Sequence, residues 1–349
     1  MKRLPAALAS LAALAISTLG LSGCNVRFSP YAAVVNGSEI SQTQTHDALS
    51  AIAGNAGYRC SIQAGGTSRI AGAGQGTYSA AFSAEVLSIL IQDKVIRQDV
   101  VRLGLPEPSA LDPIALSQLE SATAPVTGCA GTGASVVAAF PPGYRQQLIQ
   151  FQMDEDALTA HLAGATLTPA PLAGYVASHQ GTMSLACISL IEIATKAEGS
   201  SLRRQILRGA SFAALARAHS TDASTAPNGG VLGCIPTAEF NAPLNKVVAA
   251  LTPGRVSQLI SFQSGWLLFL LAQRRPETFT QLVTSLSIQE QASFGAELTR
   301  LIRSAKIEID PQYGTWNRKS NLPHVQPNAG PPSRVVPNPS ANLGPGTSG

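Results

Sequence analysis

Residues 211–271 carry a succession of turn signals and apolar runs that leaves few ways to fold. The stretch opens with an apolar segment of helical spacing, and later apolar runs begin directly after turns. Short apolar runs bounded by Gly and Pro turns are typical of strands, so the stretch predicts a helix followed by strands. In chain order the signals are Ser220-Thr221-Asp222, Gly229-Gly230-Val231-Leu232-Gly233, Pro253-Gly254, Val256-Ser257 and Ser264-Gly265.

This succession resembles the parvulin family of peptidyl-prolyl isomerases nearly from end to end. The resemblance implies an α+β fold, in which helices surround a small antiparallel sheet, and it places the domain at residues 182–275. Strands are then predicted at residues 184–194 and 265–272, and helices at residues 200–208, 211–219 and 241–250.

The resemblance also implies which side chains hold a proline. An isomerase of this type lowers a rotational barrier of about 18 to 20 kcal/mol without covalent chemistry, by gripping the proline ring in an apolar pocket that excludes water. The gripping positions are matched here by Phe240 and Leu244, which are four residues apart and are predicted to share one helix face. Ordinary packing of a helix on a sheet would use the same pair, so both interpretations stay open.

The polar side of the site departs from the family. Leu190 and Leu267 stand where parvulins usually carry histidine, and they complete the predicted substrate-binding set. Asp222, Ser257 and Ser264 still match polar positions and are the candidate catalytic residues, although the aspartate could equally cap its loop and the serines could shape turns. Leucine neither donates nor accepts a hydrogen bond. At about 1 to 1.5 kcal/mol for each lost bond, two such losses lower the rate by about one to two orders of magnitude.

The first 24 residues have the pattern of a secretory signal. Lys2 and Arg3 precede an apolar run over residues 4–19, and Leu21-Ser22-Gly23-Cys24 resembles the bacterial lipobox. An uncleaved membrane helix is the alternative, because the run is nearly long enough to span a bilayer. The lipobox resemblance implies that Cys24 is acylated, which would anchor the mature chain by lipid at the outer, extracytoplasmic face of the cell membrane.

The other cysteines form an even set, as expected of an exported protein with disulfides. Three pairings of these four residues are possible. We favour Cys60 with Cys129 and Cys187 with Cys234, because each pair then lies inside one predicted domain. Metal binding is the rival interpretation, but no two cysteines are two to four residues apart and no histidine lies at ligand spacing, so no metal site is predicted.

Composition limits the remaining function classes. Charged residues are 13% of the chain and apolar residues 45%, so a core is easily built. With a net charge of +4, aromatic residues at 5% and no basic run, the pattern expected of nucleic-acid binding is missing. The glycine-rich residues 65–76 lack the preceding strand and the Lys-Ser/Thr of a phosphate loop, so we expect a surface loop and no cofactor.

The flanking regions resemble the chaperone lobe of SurA-like and PrsA-like foldases. Residues 31–40 predict a strand and an Asn36-Gly37 turn before a helix, residues 82–105 have helical periodicity, and further helices are predicted at residues 115–122, 142–162 and 279–304. The alternating residues 305–316 resemble the family's closing segment, which folds back on the N-terminal half and makes the isomerase domain an insertion in a mainly helical lobe. Residues 321–349 hold seven prolines and four glycines, a composition that predicts disorder.

These patterns divide the chain into a lipoprotein signal (1–24), an N-terminal helical lobe (31–180), a parvulin-like domain (182–275), a returning helix and strand (277–318) and a disordered tail (320–349). The division favours a lipid-anchored prolyl isomerase that assists folding of exported proteins and has weakened catalysis. A catalytically inactive holdase that binds unfolded exported chains is the main alternative, and a structural envelope lipoprotein is a third. For the isomerase and the holdase, the expected partners are unfolded or proline-containing polypeptides.

Overall fold

The computed structural model describes residues 30–66, 69–263 and 265–329 of the chain. The predicted signal with Cys24, the candidate residue Ser264 and residues 330–349 lie outside the described residues. The described part of the chain begins with a hairpin of β1 (Tyr31–Val35) and β2 (Ser38–Ser41). Its turn places Asn36 at φ 51° and Gly37 at φ 82°, which is the backbone that an Asn-Gly hairpin turn requires. The turn predicted at these two residues is confirmed.

A helical region follows the hairpin. Ser79 caps the long third helix by accepting a hydrogen bond from the Phe82 N–H, and Gly104 ends that helix in the left-handed conformation at φ 62°. The helices are α1 (Gln42–Gly54), α2 (Ala56–Ala64), α3 (Ala80–Leu103), α4 (Asp112–Ala122), α5 (Gly133–Ala138), α6 (Pro142–Leu162) and α7 (Pro169–Ser178).

Helices α2 and α5 were not predicted from the sequence. Helix α2 has no buried residue, and α5 is a six-residue helix held by a capping box between Thr132 and Ser135. A disulfide between Cys60 in α2 and Cys129 in the loop before α5 ties the two regions together. The predicted pairing of these cysteines is confirmed.

The isomerase-like domain, residues 182–275, contains a four-stranded antiparallel sheet in the order β4-β3-β6-β5. One face of this sheet packs against α10 and the other against α8 and α9. Cys187 and Cys234 lie opposite each other on β3 and β4 and form the second predicted disulfide. The elements are β3 (Leu185–Ile193), α8 (Lys196–Leu207), α9 (Phe212–His219), β4 (Val231–Pro236), α10 (Leu244–Ala250), β5 (Ile260–Phe262) and β6 (Gly265–Arg275).

After this domain the chain returns to the helical region. Helix α11 (Phe279–Ser304) packs against α6 and α3, and β7 (Ile307–Ile309) pairs with β1 to complete a three-stranded sheet. We call residues 31–180 and 277–329 together the helical lobe. Within the described residues, no helix is both long enough and apolar enough to cross a membrane.

The disordered tail was predicted to begin at residue 320, which is wrong for its first residues. Strands β8 (Thr315–Asn317) and β9 (His324–Gln326) form a hairpin that packs against α3. Val325 is buried, and its N–H donates to the Ser88 hydroxyl at 2.9 Å. Proline-rich composition does not prevent a three-residue strand when a packed helix supplies both an apolar surface and a hydrogen-bond acceptor.

Candidate functional site

The predicted substrate-binding residues come together on one face of the isomerase-like sheet. Leu190 on β3 lies opposite Phe269 on β6, and Leu267 lies one row further along. Because side chains alternate along a strand, these residues point to the face that packs against α10. Leu244 of α10 belongs to the same apolar cluster, and Phe240 packs against it. We call this surface the site face.

Phe240 reaches the site face by a different route from the predicted one. The helix expected at residues 241–250 begins only at Leu244, so Phe240 is not on it; Phe240 follows the 3-10 turn Thr237–Glu239. The residue before Pro243 is disfavoured in helical conformation, which explains the late start. The predicted helical four-residue spacing was therefore wrong. The Phe240 ring meets the edge of the Phe269 ring instead, with centroids 6.3 Å apart.

Ser257 is buried beside the backbone of Phe269. Its N–H donates to the Phe269 carbonyl at 2.8 Å, and its hydroxyl oxygen accepts from the Phe269 N–H at 2.9 Å. The Arg203 guanidinium donates to the Ser257 carbonyl at 2.8 Å. These bonds hold the strand that carries Phe269, as expected if this serine shapes the backbone.

Asp222 caps the loop that follows α9. Its carboxylate accepts from the Ser224 N–H at 3.1 Å, from the Ser224 hydroxyl at 2.6 Å and from the Thr225 hydroxyl at 2.5 Å. The Ser224 bond, followed by the Thr225 bond, lowers the pKa of this carboxyl below its ordinary value. These three bonds match the loop-capping alternative, and a role of Asp222 toward substrate stays a prediction.

Two residues at the site were not found from the sequence. Arg274 holds the end of α10, which carries Leu244, so it positions one wall of the site face. Its guanidinium donates at 2.7 to 3.1 Å to the carbonyls of Gly181, Val248, Ala249 and Leu251. Glu192 is the second: it follows Leu190 by two residues on β3 and therefore lies on the site face. The sequence signal for it was an acidic residue inside a largely apolar strand.

Buried carboxyl groups lie elsewhere, in the helical lobe. Asp154 and Asp156 on α6 are 2% and 3% exposed, and burial raises the pKa of each to about 7. Arg97 donates to Asp154 at 2.7 Å, and Gln118 donates to Asp156 at 3.3 Å. In the part of the chain that the structure describes, no three His, Cys, Asp or Glu side chains are grouped to hold a metal ion.

Comparison with known families matches residues 191–273 to the rotamase family, described as the PPIC-type PPIASE domain. The match runs from the end of β3 into β6 and includes Phe240, Leu244 and Leu267 of the site face, whereas Leu190 lies one residue before it. These residues are a parvulin-type domain, as the sequence predicted. The chain as a whole has an α+β fold in which this domain is joined to a mainly helical lobe.

Parts of the chain are also similar to curated chaperones. It is 35% identical over 82 residues to the chaperone SurA of Nitrosococcus oceani, which is 24% of this chain and 19% of that protein. It is 36% identical over 117 residues to the chaperone SurA of Thiobacillus denitrificans, which is 32% of this chain and 27% of that protein. The matched part is thus a minor part of each relative's length.

Solved structures of foldases show similarity over more of the chain. The peptidylprolyl isomerase PrsA from Bacillus anthracis is 17% identical over 61% of this chain and 93% of that chain, with a TM-score of 0.31. The foldase PrsA from Streptococcus pneumoniae is 18% identical over 66% of this chain and 87% of that chain, with a TM-score of 0.32.

Proposed function

We propose that this chain is a foldase for exported proteins, which binds unfolded polypeptides at proline-containing segments and catalyses prolyl isomerisation weakly. One observation carries the proposal. The apolar residues that grip a proline in the family's pattern, Phe240 and Leu244, meet on the site face together with Leu190 and Leu267. The apolar residues that would hold the proline are therefore retained, while leucines replace the two histidines expected from the family.

The site face can act by removing water from a proline-containing segment. Transfer of the proline ring against Phe240 and Leu244 buries apolar surface, which stabilises the bound peptide. Loss of water around the amide weakens the solvation that favours its planar form. Leu190 and Leu267 offer no hydrogen bond to the twisted amide. Binding therefore persists, and the step that would need those bonds is slowed.

A protease-coupled isomerisation assay on the purified chain, run beside peptide binding, tests this function. We expect proline-containing peptides to bind, with an isomerisation rate at least about tenfold below that of an ordinary parvulin. Phe240→Ala should weaken binding, because it removes the ring that faces Phe269. A matched Phe279→Ala change in the helical lobe should leave binding intact. Absence of any proline-dependent binding would refute the proposal.

The proposed location is extracytoplasmic, with a lipid anchor on Cys24. The Leu21-Ser22-Gly23-Cys24 sequence supports the anchor, and two disulfides support an oxidising compartment. Cys24→Ala should release the chain from membranes or stall its processing. Unchanged membrane retention with normal signal cleavage would contradict the anchor.

The proposed arrangement is an isomerase domain, residues 182–275, inserted into a chaperone lobe made of residues 31–180 and 277–318. Pairing of β1 with β7 supports it, because strands from both halves share one sheet. A purely passive holdase is the second candidate, and the two leucines favour it. In that case the purified chain should suppress aggregation of an unfolded protein without accelerating any proline-limited refolding step.

A further inference from the structure

We infer that Glu192 makes the site select proline-containing segments that carry a Lys or Arg close to the proline. The inference rests on the proposed peptide binding by the site face. Residue Glu192 lies directly opposite Leu267 in the sheet and two residues from Leu190. It is thus an acidic side chain on the same face as the four residues that form the apolar site.

The Glu192 carboxylate lies close to Gly265 of the neighbouring strand. A Cβ built on Gly265 would lie 3.7 Å from Glu192 Oε1, so the carboxylate lies above a glycine that has no side chain to cover it. Gly265 and Leu267 have the same alternation along β6, which places this contact on the site face. Glu192 is half-buried, so a ligand can reach its carboxylate.

The carboxylate has no partner among the residues that the structure describes, where no hydrogen bond or ion pair involves its oxygens. The nearest cation along the chain, Lys196, lies with its ammonium 5.4 Å from the centroid of the Trp266 ring. Trp266 alternates with Leu267 and therefore points to the other face of the sheet. Because the carboxylate is accessible and has no cationic partner on this face, a cationic group from a ligand would gain a charge-assisted hydrogen bond there.

The distance between the apolar site and Glu192 suits a basic residue of the peptide close to its proline. Two residues of a strand span about 7 Å, which is the distance along β3 from Leu190 to Glu192. An extended peptide that places its proline against Phe240 and Phe269 therefore brings a side chain one or two residues away to the carboxylate. Lys and Arg have the length and the charge to meet it, and a Glu at the same peptide position would be repelled.

Peptide binding measured by fluorescence anisotropy tests the selectivity. The probes are labelled peptides with one proline that differ only in Lys, Gln or Glu at the residue before or after it. The unmodified chain should bind the best Lys peptide about fivefold more tightly than its Glu counterpart at low salt, and less so at high salt. Glu192→Gln should remove this difference, and Glu192→Lys should reverse it.

A matched control separates this effect from a general change of charge. Glu198→Gln removes the same charge from α8 on the opposite side of the sheet, where Glu198 lies 3.4 Å from His219, and should keep the Lys preference. Binding that has no charge preference, or a preference that survives Glu192→Gln, would overturn the inference while leaving the proposed peptide binding in place. If no peptide binds, the proposed function fails and this inference fails with it.

Discussion

In the helical lobe, acidic side chains lie inside the packed helices, whereas on the site face of the isomerase-like domain leucines stand where the sequence resemblance predicts the histidines of parvulins. Asp154 and Asp156 are almost fully buried on α6, and burial raises the pKa of each to about 7. Leu190 and Leu267 lie in an apolar cluster. The stability of the lobe is therefore linked to protonation, while the domain's site depends on packing.

Local geometry explains why acids collect in the lobe. Successive positions of an α-helix point in different directions. Arg97 on α3 donates to Asp154, while the other buried aspartate, Asp156, accepts hydrogen bonds from Gln118 on α4 and from Ser287 on α11. Helix α6 thus presents acids to several neighbours at once.

The largest expected effect comes from removing a core ring in each region. Phe82→Ala in the lobe or Phe269→Ala in the domain should lower the free energy of unfolding by about 3 to 5 kcal/mol, because both rings are buried and leave cavities. The chain has two tryptophans, Trp316 in the lobe and Trp266 in the domain. Unfolding is followed by fluorescence in variants that keep only one tryptophan. Trp316 should report the destabilisation caused by Phe82→Ala, and Trp266 that caused by Phe269→Ala.

If both tryptophans report the same shift of the unfolding transition for either substitution, the two regions unfold as one unit. Their stabilities could then not be compared separately. A conservative change at an exposed site, Ile288→Val, is the control and should leave both transitions unchanged.

Removing the disulfides should have the next largest effect. Cys60→Ala with Cys129→Ala should destabilise the lobe by about 2 to 4 kcal/mol, and Cys187→Ala with Cys234→Ala should do so for the domain. Denaturant unfolding with the two tryptophan reporters measures each loss. Recovery of four free thiols from the purified mature chain would contradict both pairings.

A change of pH should affect the stability of the two regions in opposite directions. Folding raises the pKa of Asp156 from about 4 in an unfolded chain to about 7, so the folded state holds the proton more tightly. The contribution of Asp156 to the free energy of unfolding is complete below about pH 4 and is lost as the pH rises toward 7. Asp156→Asn should therefore raise the stability of the lobe at pH 8 by about 1 to 3 kcal/mol and change little near pH 4.

The opposite sign is expected in the domain. Hydrogen bonds from Ser224 and Thr225 lower the pKa of Asp222, so its contribution is present above the unfolded pKa and is lost as the pH falls through the folded value. Asp222→Asn should lower stability at neutral pH, and the difference should vanish in acid. For the lobe, the stability of Asp156→Asn should vary with pH differently from that of the unmodified chain. The same variation in both would contradict the link between the stability of the lobe and protonation.

The smallest effect concerns catalysis at the site face. Leu190→His with Leu267→His should raise the isomerisation rate by about tenfold, because imidazoles can bond to the twisted amide. Adding Phe240→Ala to this variant should abolish the gain by removing the proline grip. A rate typical of parvulins in the unmodified chain would show that the two histidines are dispensable in this fold.

Regular elements with strong local signals could be predicted from the sequence. Helix α11 was expected at residues 279–304 and begins and ends there, because a capping box and a long apolar periodicity define it. The cysteine pairs also followed from sequence position. Local signals of this strength predict single elements, whereas the α+β fold with a mainly helical lobe was expected from the resemblance to the family.

Features that depend on distant contacts could not be predicted in this way. Phe240 meets the site through the Phe269 ring, and strand β9 exists because Ser88 of α3 accepts its N–H. Arg274 looks like an exposed strand end, yet its guanidinium holds the carbonyls at the end of α10. Such contacts join residues far apart in sequence, and local patterns do not encode them.

The pairing of β1 with β7 also sets an order for folding during the proposed export. The Lys306 N–H bonds to the side chain of Asn36, 270 residues earlier in the chain. A sheet built across such a separation can close only after its last strand has crossed the membrane, and contacts of this range form late. The sheet of the isomerase-like domain needs only residues 185–275. If the chain is exported as proposed, it can thus complete the proposed peptide-binding surface while the lobe is still open.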